Sequence, residues 1–344
     1  MISSKLLKES LLVNISEDEI VSRLAQISNT FNIDRAKIEK MYSEPKNISS
    51  YTYFYLPTNM YKMRYLFDHL NQNVIERISN TSVIDIGCGP GTYVFALIEI
   101  LKNEAMNFFG VDQNKFMLEQ ARKIHESHYS NFNISWSKEL PVTKDDKTLV
   151  FGNSINEMGA DQALKIIKKL DPKIVICIEP GTKSTFSEIK KLRDALIKDD
   201  LRPIFPCPSS SSCPMRNDNW CHQTIRVSLD KDIERLGQKI KKDRTKMPAI
   251  VHVYCRDVED THKKRVIRLE KKAKHAFIWN TCESAIEENK FMRIEVLKKP
   301  LSKSWQKSVE KLSSGFSIEY EVQKELGENS RKVVLTQVED EEIS

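Results

Sequence analysis

Apolar residues recur at three- and four-residue intervals through "EDEIVSRLAQISNTFNIDRAKIEKMYSE", which predicts helix over residues 17–44. The next stretch, "YTYFYLPTNMYKMRYLFDHL", reads as an aromatic-rich turn leading into another amphipathic helix. Residues 1–75 are therefore expected to form a helical preface. The pattern then changes. Short apolar runs, "SVIDIG", "NFFGVD", "TLVFGN" and "KIVICIEP", alternate with the helical stretches "TYVFALIEILKN", "KFMLEQARKIHES", "DQALKIIKKL" and "STFSEIKKLRDALIKDD". Buried strands alternating with helices predict a doubly wound, Rossmann-like α/β sheet over residues 76–206, with ligands at the strand carboxyl ends. Residues 207–320 form a cysteine-rich, basic region in which "AIVHVYC" reads as a strand completing that sheet. Residues 321–344 end in "QVEDEEIS" and read as an acidic tail.

Composition narrows this picture only a little. Among 344 residues, 54 Lys and Arg face 48 Asp and Glu, so the formal charge is +6. That balance suits an anionic partner without requiring one. No apolar run approaches the roughly 18 residues of a membrane helix. The opening "MISSKLLKESLLVNISEDEI" soon turns acidic and has no small-residue cleavage site, unlike a secretory signal, and is a poor mitochondrial presequence. The expectation is a monomer in a bacterial cytoplasm, with the mitochondrial matrix as the alternative. Basic residues concentrate between 231 and 275, where they could neutralise phosphates. Glu234, Asp243 and Glu270 are interspersed, as on an ordinary solvated face. Trp220 and Trp305 could stack on bases or pack against neighbouring structure.

"VIDIGCGPGTYVFAL" carries the clearest chemistry. An apolar strand ends at Asp85, and Gly87, Gly89 and Gly91 follow at alternate positions before a helix. Glycines let the backbone turn sharply and approach a ligand at a helix N-terminus. With its preceding acid, the loop resembles motif I of the class I S-adenosylmethionine-dependent methyltransferases. Asp112 stands one helix further on, where that class holds the ribose hydroxyls, and a carboxylate can accept both. Asn153, Asn156 and Glu157 follow the fourth strand, and Asn153 is assigned to the cofactor site. The D/N-P-P-Y/F motif of base-directed enzymes is absent there, so no catalytic residue is assigned. Cys88 and Cys177 sit in core positions and read as small filler.

"FPCPSSSSCPMRNDNWCHQ" places Cys207, Cys213 and Cys221 in an aperiodic loop. Clustered thiols in an intracellular chain point to metal chemistry rather than disulfides. Four thiolates suit either zinc or an iron–sulfur cluster. The missing C-x-x-C knuckle favours the cluster. Cys282, Cys255 and His222 are the candidates for fourth ligand. Cys282 is preferred because it lies at an apparent strand end, whereas Cys255 lies within a strand.

The order "IEPGTKSTFSEIKKLRDAL", "PCPSSSSCPMRNDNWCHQTIRV", then a basic stretch, resembles the methyltransferase-like assembly factors of the small ribosomal subunit. That family is known from mitochondria and has bacterial relatives. The likeness runs from about residue 50 to 315, with "YFYLPTNMYKMRYLF" and "LSKSWQKSVEKLSSG" near its ends. It implies a [4Fe-4S] cluster on Cys207, Cys213, Cys221 and Cys282. It also implies S-adenosylmethionine at Gly87, Gly89, Gly91 and Asp112, and association with small-subunit rRNA during assembly. Two features depart from the family: a serine run replaces its usual histidine and acid after the first Cys-Pro, and "HVYCRD" is atypical. The expected function is ribosome assembly. An active rRNA methyltransferase is one alternative, and a small-molecule methyltransferase with a structural zinc lobe is the other.

Overall fold

The computed structural model describes residues 2–33, 41–216, 218–312, 315–339 and 341–342. The chain forms two compact units, one of Met1–Ser154, Leu170–Pro172 and Ile225–Met247, the other of Ile155–Lys169, Lys173–Thr224 and Pro248–Ser344.

Among the described residues, the first unit opens with the helices α1 (Ser4–Glu9), α2 (Glu17–Ile33), α3 (Pro45–Phe67) and α4 (Gln72–Ser79). Residues 34–40 of the helix predicted over 17–44 lie outside the described residues. α3 corrects the expected aromatic turn, because the helix runs straight through it with Pro57 inside. An interior proline forfeits a backbone hydrogen bond and costs about 3 kcal/mol. The Thr58 hydroxyl bonds the carbonyls of Phe54 and Tyr55 at 3.1 Å each. Phe54, Leu56, Met60, Met63 and Leu66 are fully buried along the same helix. At about 1.5–3 kcal/mol for each such side chain, burial outweighs the proline.

Four parallel strands follow, β1 (Ser82–Ile86), β2 (Asn107–Val111), β3 (Asn133–Ser137) and β4 (Lys147–Gly152), in the order β3-β2-β1-β4. Helices α5 (Thr92–Leu101) and α6 (Lys115–His128) make the crossovers. This is the expected doubly wound pattern. β1 is buried throughout, and its register sets Asp85 beside Gly110 and Val150. β3 lacks an apolar run and escapes sequence reading. Only Ile134 and Trp136 are half-buried in it, as suits an edge strand.

The second unit contains α7 (Ile155–Leu170, all but its last residue), β5 (Ile174–Pro180), α8 (Lys183–Lys198) and β6 (Arg202–Phe205). After β7 (Gln223–Arg226), β8 (Lys246–Cys255) runs antiparallel to both β5 and β6, so "AIVHVYC" is a strand as expected.

Residues 264–338 do not extend that sheet. They build a second one from β9 (Lys264–Lys272), β10 (Ala276–Glu283), β11 (Lys290–Leu297), β12 (Ser317–Gly327) and β13 (Ser330–Val338), with β14 (Glu341–Glu342) on β13. Helix α10 (Lys303–Lys311) joins β11 to β12. Antiparallel pairs link β9 to β10, β10 to β11, β12 to β13 and β12 to β9, and β11 pairs with β13 in parallel. The five strands therefore close on themselves as a barrel around Phe277, Trp279, Ile294, Val296, Val333 and Leu335. The expected acidic tail is strand through Val338. The second half of β12 is solvent-exposed and reads as tail, yet Val333, Leu335 and Val338 supply an inward-facing row.

The basic stretch of 231–275 is divided between the units. Helix α9 (Lys231–Lys239) lies in the first, where Arg235 and Lys239 both pair with Glu17, at 2.7 and 2.6 Å. Lys264–Lys272 form β9 in the second. No helix among the described residues is long and apolar enough to cross a membrane.

Candidate functional site

β1 ends at the glycine loop, where Gly87, Gly89 and Gly91 all have positive φ, at 73°, 54° and 88°. A Cβ on Gly87 would lie 2.7 Å from the Ser154 Cβ, and one on Gly91 would lie 2.6 Å from the Phe95 ring. Gly87→Ala is expected to destabilise the protein by about 2–4 kcal/mol, from left-handed strain plus overpacking. The denaturant midpoint measures it, and an unshifted midpoint would refute the strain argument.

The loop holds its acidic neighbour directly. Gly89 N–H donates to Asp112 Oδ2 and Asn114 N–H to Oδ1, each at 2.8 Å. Burial pushes the Asp112 pKa up, and these two N–H groups oppose the rise. A carboxylate has about four acceptor sites, so two remain for a pair of hydroxyls. Asp85 is more exposed to electrostatic cost. Both its oxygens are buried without a hydrogen-bond partner. Burial first, then the Asp112 charge, raises its pKa to about 8, and the nearby N–H dipoles of Tyr93 and Val94, which do not reach hydrogen-bond geometry, only partly oppose the rise.

Asn153 follows β4 with φ of 57°. Its Oδ1 accepts from Lys62 Nζ at 3.2 Å and its Nδ2 donates to the Tyr93 hydroxyl at 3.3 Å. Asp85, Gly87, Gly89, Gly91, Asp112 and Asn153 thus all lie in the first unit. Lys62 escaped sequence reading, although a lysine between the buried Met60 and Met63 is a readable signal. Asn156 and Glu157 fall in the second unit, where Ile155 and Asn156 N–H donate to Glu179 at 2.8 and 3.3 Å. The Glu179 carboxylate there caps the start of α7.

Cys207, Cys213, Cys221 and Cys282 line one cavity in the second unit, together with Arg193, Gln223 and His252. Three of the cysteines come from the loop after β6. Cys282 comes from the barrel, near the end of β10 and opposite Phe291 of β11. The serine run fastens this loop to the β10–β11 connection. Ser209 Oγ donates to Asn289 Oδ1 at 2.7 Å, Ser211 Oγ to the Ala285 carbonyl at 2.6 Å, and Asn289 N–H to the Ser212 carbonyl at 3.0 Å. Burial raises the thiol pKa of Cys213, Cys221 and Cys282, and the neighbouring cysteines push each of them further.

Arg193 is buried on α8 and grips the loop from behind. Its Nε donates to Cys207 Sγ at 3.4 Å, and its terminal nitrogen to the carbonyls of Ser209 and Ser211 at 3.0 and 2.6 Å. Burial alone would lower the guanidinium pKa, but Cys207, Tyr254 and Cys213 hold it above its ordinary value. A charged residue on the apolar face of α8, beside Ile189 and Leu196, was a sequence signal for this role.

Cys255 is fully buried in β8 and does not line the cavity, and Cys88 and Cys177 are likewise buried in their strand and loop. His222 stacks on Trp220 at 5.7 Å, while Trp220 Nε1 donates to the Gly181 carbonyl at 3.1 Å. Trp305 packs against the barrel core. Both tryptophans are thus used in packing.

Among the described residues, no group of three or more His, Cys, Asp or Glu is placed to hold a metal ion. The cavity chemistry nevertheless fits a sulfur-rich group. Gln223 Nε2 and His252 Nε2 are buried without hydrogen-bond partners. Gln223 spends its oxygen on the Val251 N–H at 2.8 Å, and His252 Nδ1 meets the Tyr254 hydroxyl at 2.8 Å. Burial, then Arg193, lowers the His252 pKa to about 3, so the ring is neutral. A buried polar atom left without a partner costs about 1–3 kcal/mol. Gln223 Nε2 is a donor, and His252 Nε2 is one in the tautomer whose Nδ1 accepts from the Tyr254 hydroxyl. The sulfides of a cluster would accept from them, as hydrogen bonds to such sulfurs commonly do.

No curated protein matches the chain. Among solved structures, the tRNA (uracil-54, C5)-methyltransferase of Pyrococcus abyssi in complex with S-adenosyl-L-homocysteine is 20% identical, with a TM-score of 0.26. That match covers 35% of this chain and 30% of the other, so the chain spans under a third of that protein's length. A putative RNA methyltransferase of Pyrococcus horikoshii is 12% identical over 62% of this chain and 86% of its own, at a TM-score of 0.35. Magnesium protoporphyrin IX methyltransferase of Synechocystis PCC 6803, with bound S-adenosylmethionine, is 13% identical over 69% and 97%, also at 0.35. The family described as mitochondrial small ribosomal subunit Rsm22 matches residues 45–307, well over half the sequence, and the chain belongs to that family.

Proposed function

We propose that this chain is an assembly factor of the small ribosomal subunit that holds S-adenosylmethionine, a [4Fe-4S] cluster and ribosomal RNA. One observation carries the reading. Four cysteines from two separate elements border a single cavity that is also lined by two residues with a buried side-chain nitrogen lacking a partner. A multi-iron cluster spreads its ligands more widely than one zinc ion, which needs sulfurs at about 2.3 Å. Cys207, Cys213, Cys221 and Cys282 would hold the cluster. Bound there, it would supply a covalent link between the loop and the barrel.

S-adenosylmethionine supplies a transferable methyl group when bound. The residues of this chain would bind and orient it. Asp112 would accept the ribose hydroxyls with its two remaining acceptor sites, and the glycine loop would let the backbone approach. Asp85 is a buried carboxylate without a partner, suited to a cationic group of the ligand. The polar set Lys62, Asn153 and Tyr93 beyond β4 favours a second reading, active rRNA methylation.

RNA crosslinking in cells tests the assembly role, with crosslinks expected on small-subunit rRNA. Crosslinks spread over messenger or transfer RNA would overturn it. Small-subunit rRNA methylation that disappears in Asp112→Ala would promote the second reading over the first.

A further inference from the structure

The barrel has a specific topology. Its order is β9-β10-β11-β13-β12 and back to β9, with β11 and β13 parallel and α10 inserted between β11 and β12. Five strands closed in this way, with a helix after the third, form an oligonucleotide-binding type of barrel. Such barrels take their ligand on strands two and three and on the turn joining strands one and two. A fold alone does not establish a ligand. The charge at that turn is a second, independent observation.

The turn between β9 and β10 packs against the segment leading into α10. Lys298 N–H donates to the His275 carbonyl at 3.0 Å, Lys298 Nζ bonds the Ala273 carbonyl, and Gln306 Nε2 donates to the Lys298 carbonyl at 3.0 Å. Residues 271–276 contribute three lysines and residues 297–310 four, against Glu310 alone. Lys271, Lys272, Lys274, Lys299 and Lys303 are exposed, and Glu310 is engaged by Lys272 at 2.5 Å. The first turn of α10 has no acidic residue, so its N-terminal dipole adds to the positive potential. His275 is exposed among these lysines and offers a ring on which a base can stack.

We propose that the barrel binds single-stranded RNA, with Lys271, Lys274, Lys299 and Lys303 holding its phosphates. This rests on the ribosomal RNA reading above and assigns that contact to one end of one barrel. Single strands suit a short turn-and-helix edge of this kind, because a barrel of this class covers only about 4–16 nucleotides.

The test uses the full chain, a fluorescent single-stranded oligoribonucleotide of about 12 nucleotides, and a salt series. Combining Lys271→Ala, Lys274→Ala and Lys299→Ala should weaken binding at least about tenfold at low salt. It should also make the log–log salt slope shallower by about 2, since each lost phosphate contact removes about 0.7. Lys231→Ala with Lys241→Ala, in the other unit, should change neither. Circular dichroism confirms that the variants remain folded. An unchanged slope, an equal loss in the control pair, or equal or tighter binding of duplex RNA or polyglutamate would each overturn the proposal. Crosslinking in cells separates it from the assembly reading. Small-subunit crosslinks that persist at full strength in the triple variant would reject the barrel assignment and leave assembly standing. Oligonucleotide binding lost in the variant, with wild-type crosslinks away from the ribosome, would keep the barrel and reject assembly.

Discussion

Cys282→Ser is expected to empty the anaerobically purified protein of iron, from about four atoms per chain to near zero, with loss of its brown colour. Cys255→Ser should leave both unchanged. The contrast follows from placement. Cys282 borders the cavity shared with Cys207, Cys213 and Cys221, whereas Cys255 is enclosed in β8. Removing one of four ligands exposes a cluster corner that the remaining thiolates cannot cover. Iron content and visible absorbance give the result. Colourless wild-type protein carrying one zinc would reject the cluster, and retention of iron in the Cys282 variant would reassign the fourth ligand.

Asp85→Asn is expected to stabilise the ligand-free protein at alkaline pH while weakening S-adenosylmethionine binding. The folded-state pKa of Asp85 is raised to about 8 from an ordinary 3.8. A carboxyl raised in this way contributes stability that is fully present below about pH 4 and lost as pH rises through about 8. A gap of about four pH units corresponds to about 5–6 kcal/mol. A buried amide without partners costs about 1–3 kcal/mol in return. The net gain for the variant should therefore be about 3 kcal/mol at pH 8 and above, cross zero at about pH 5–6, and turn into a loss of about 1–3 kcal/mol near pH 4. Thermal melts across that range measure it. Affinity for S-adenosylmethionine should fall about 100-fold, because a buried charge facing a cation contributes about 3 kcal/mol. A variant less stable than wild type at pH 8, or one with unchanged affinity, would remove Asp85 from this role.

The parallel part of the first sheet was legible because most of its strands are buried on both faces. β1, β2, β4 and β5 read as apolar runs, and alternating glycines announce a turn whatever surrounds them. β3 was not legible, since an edge strand needs few apolar residues. The barrel was hidden for a related reason. β9 carries lysines over its exposed half, and β12 is exposed from Glu321 to Gly327, so neither shows continuous alternation. Their pairing depends on matches such as Arg265 with Ser317, which no local pattern encodes.

The cysteine-lined cavity divided in the same way. Its cysteines were visible as residue types, and Cys282 was preferred over Cys255 by its position near a strand end. Gln223 and His252 were not visible. A glutamine and a histidine near strands are common, and what distinguishes them is the lack of a partner for one nitrogen each. The serine run, which departs from the family pattern, proves to be fastened to the β10–β11 connection by hydroxyl and backbone bonds.

The parallel seam between β11 and β13 joins segments far apart in the polypeptide, with Val296 opposite Val333. A growing chain emerges from its N-terminus, so Cys282 leaves the ribosome well before the strand that seals its own barrel. Until synthesis passes Val333, Phe277 and Trp279 face an unfinished interior. The barrel can therefore close only once β13 has been made, and a stop codon anywhere before that point leaves β10 attached to an open sheet with an unpaired margin.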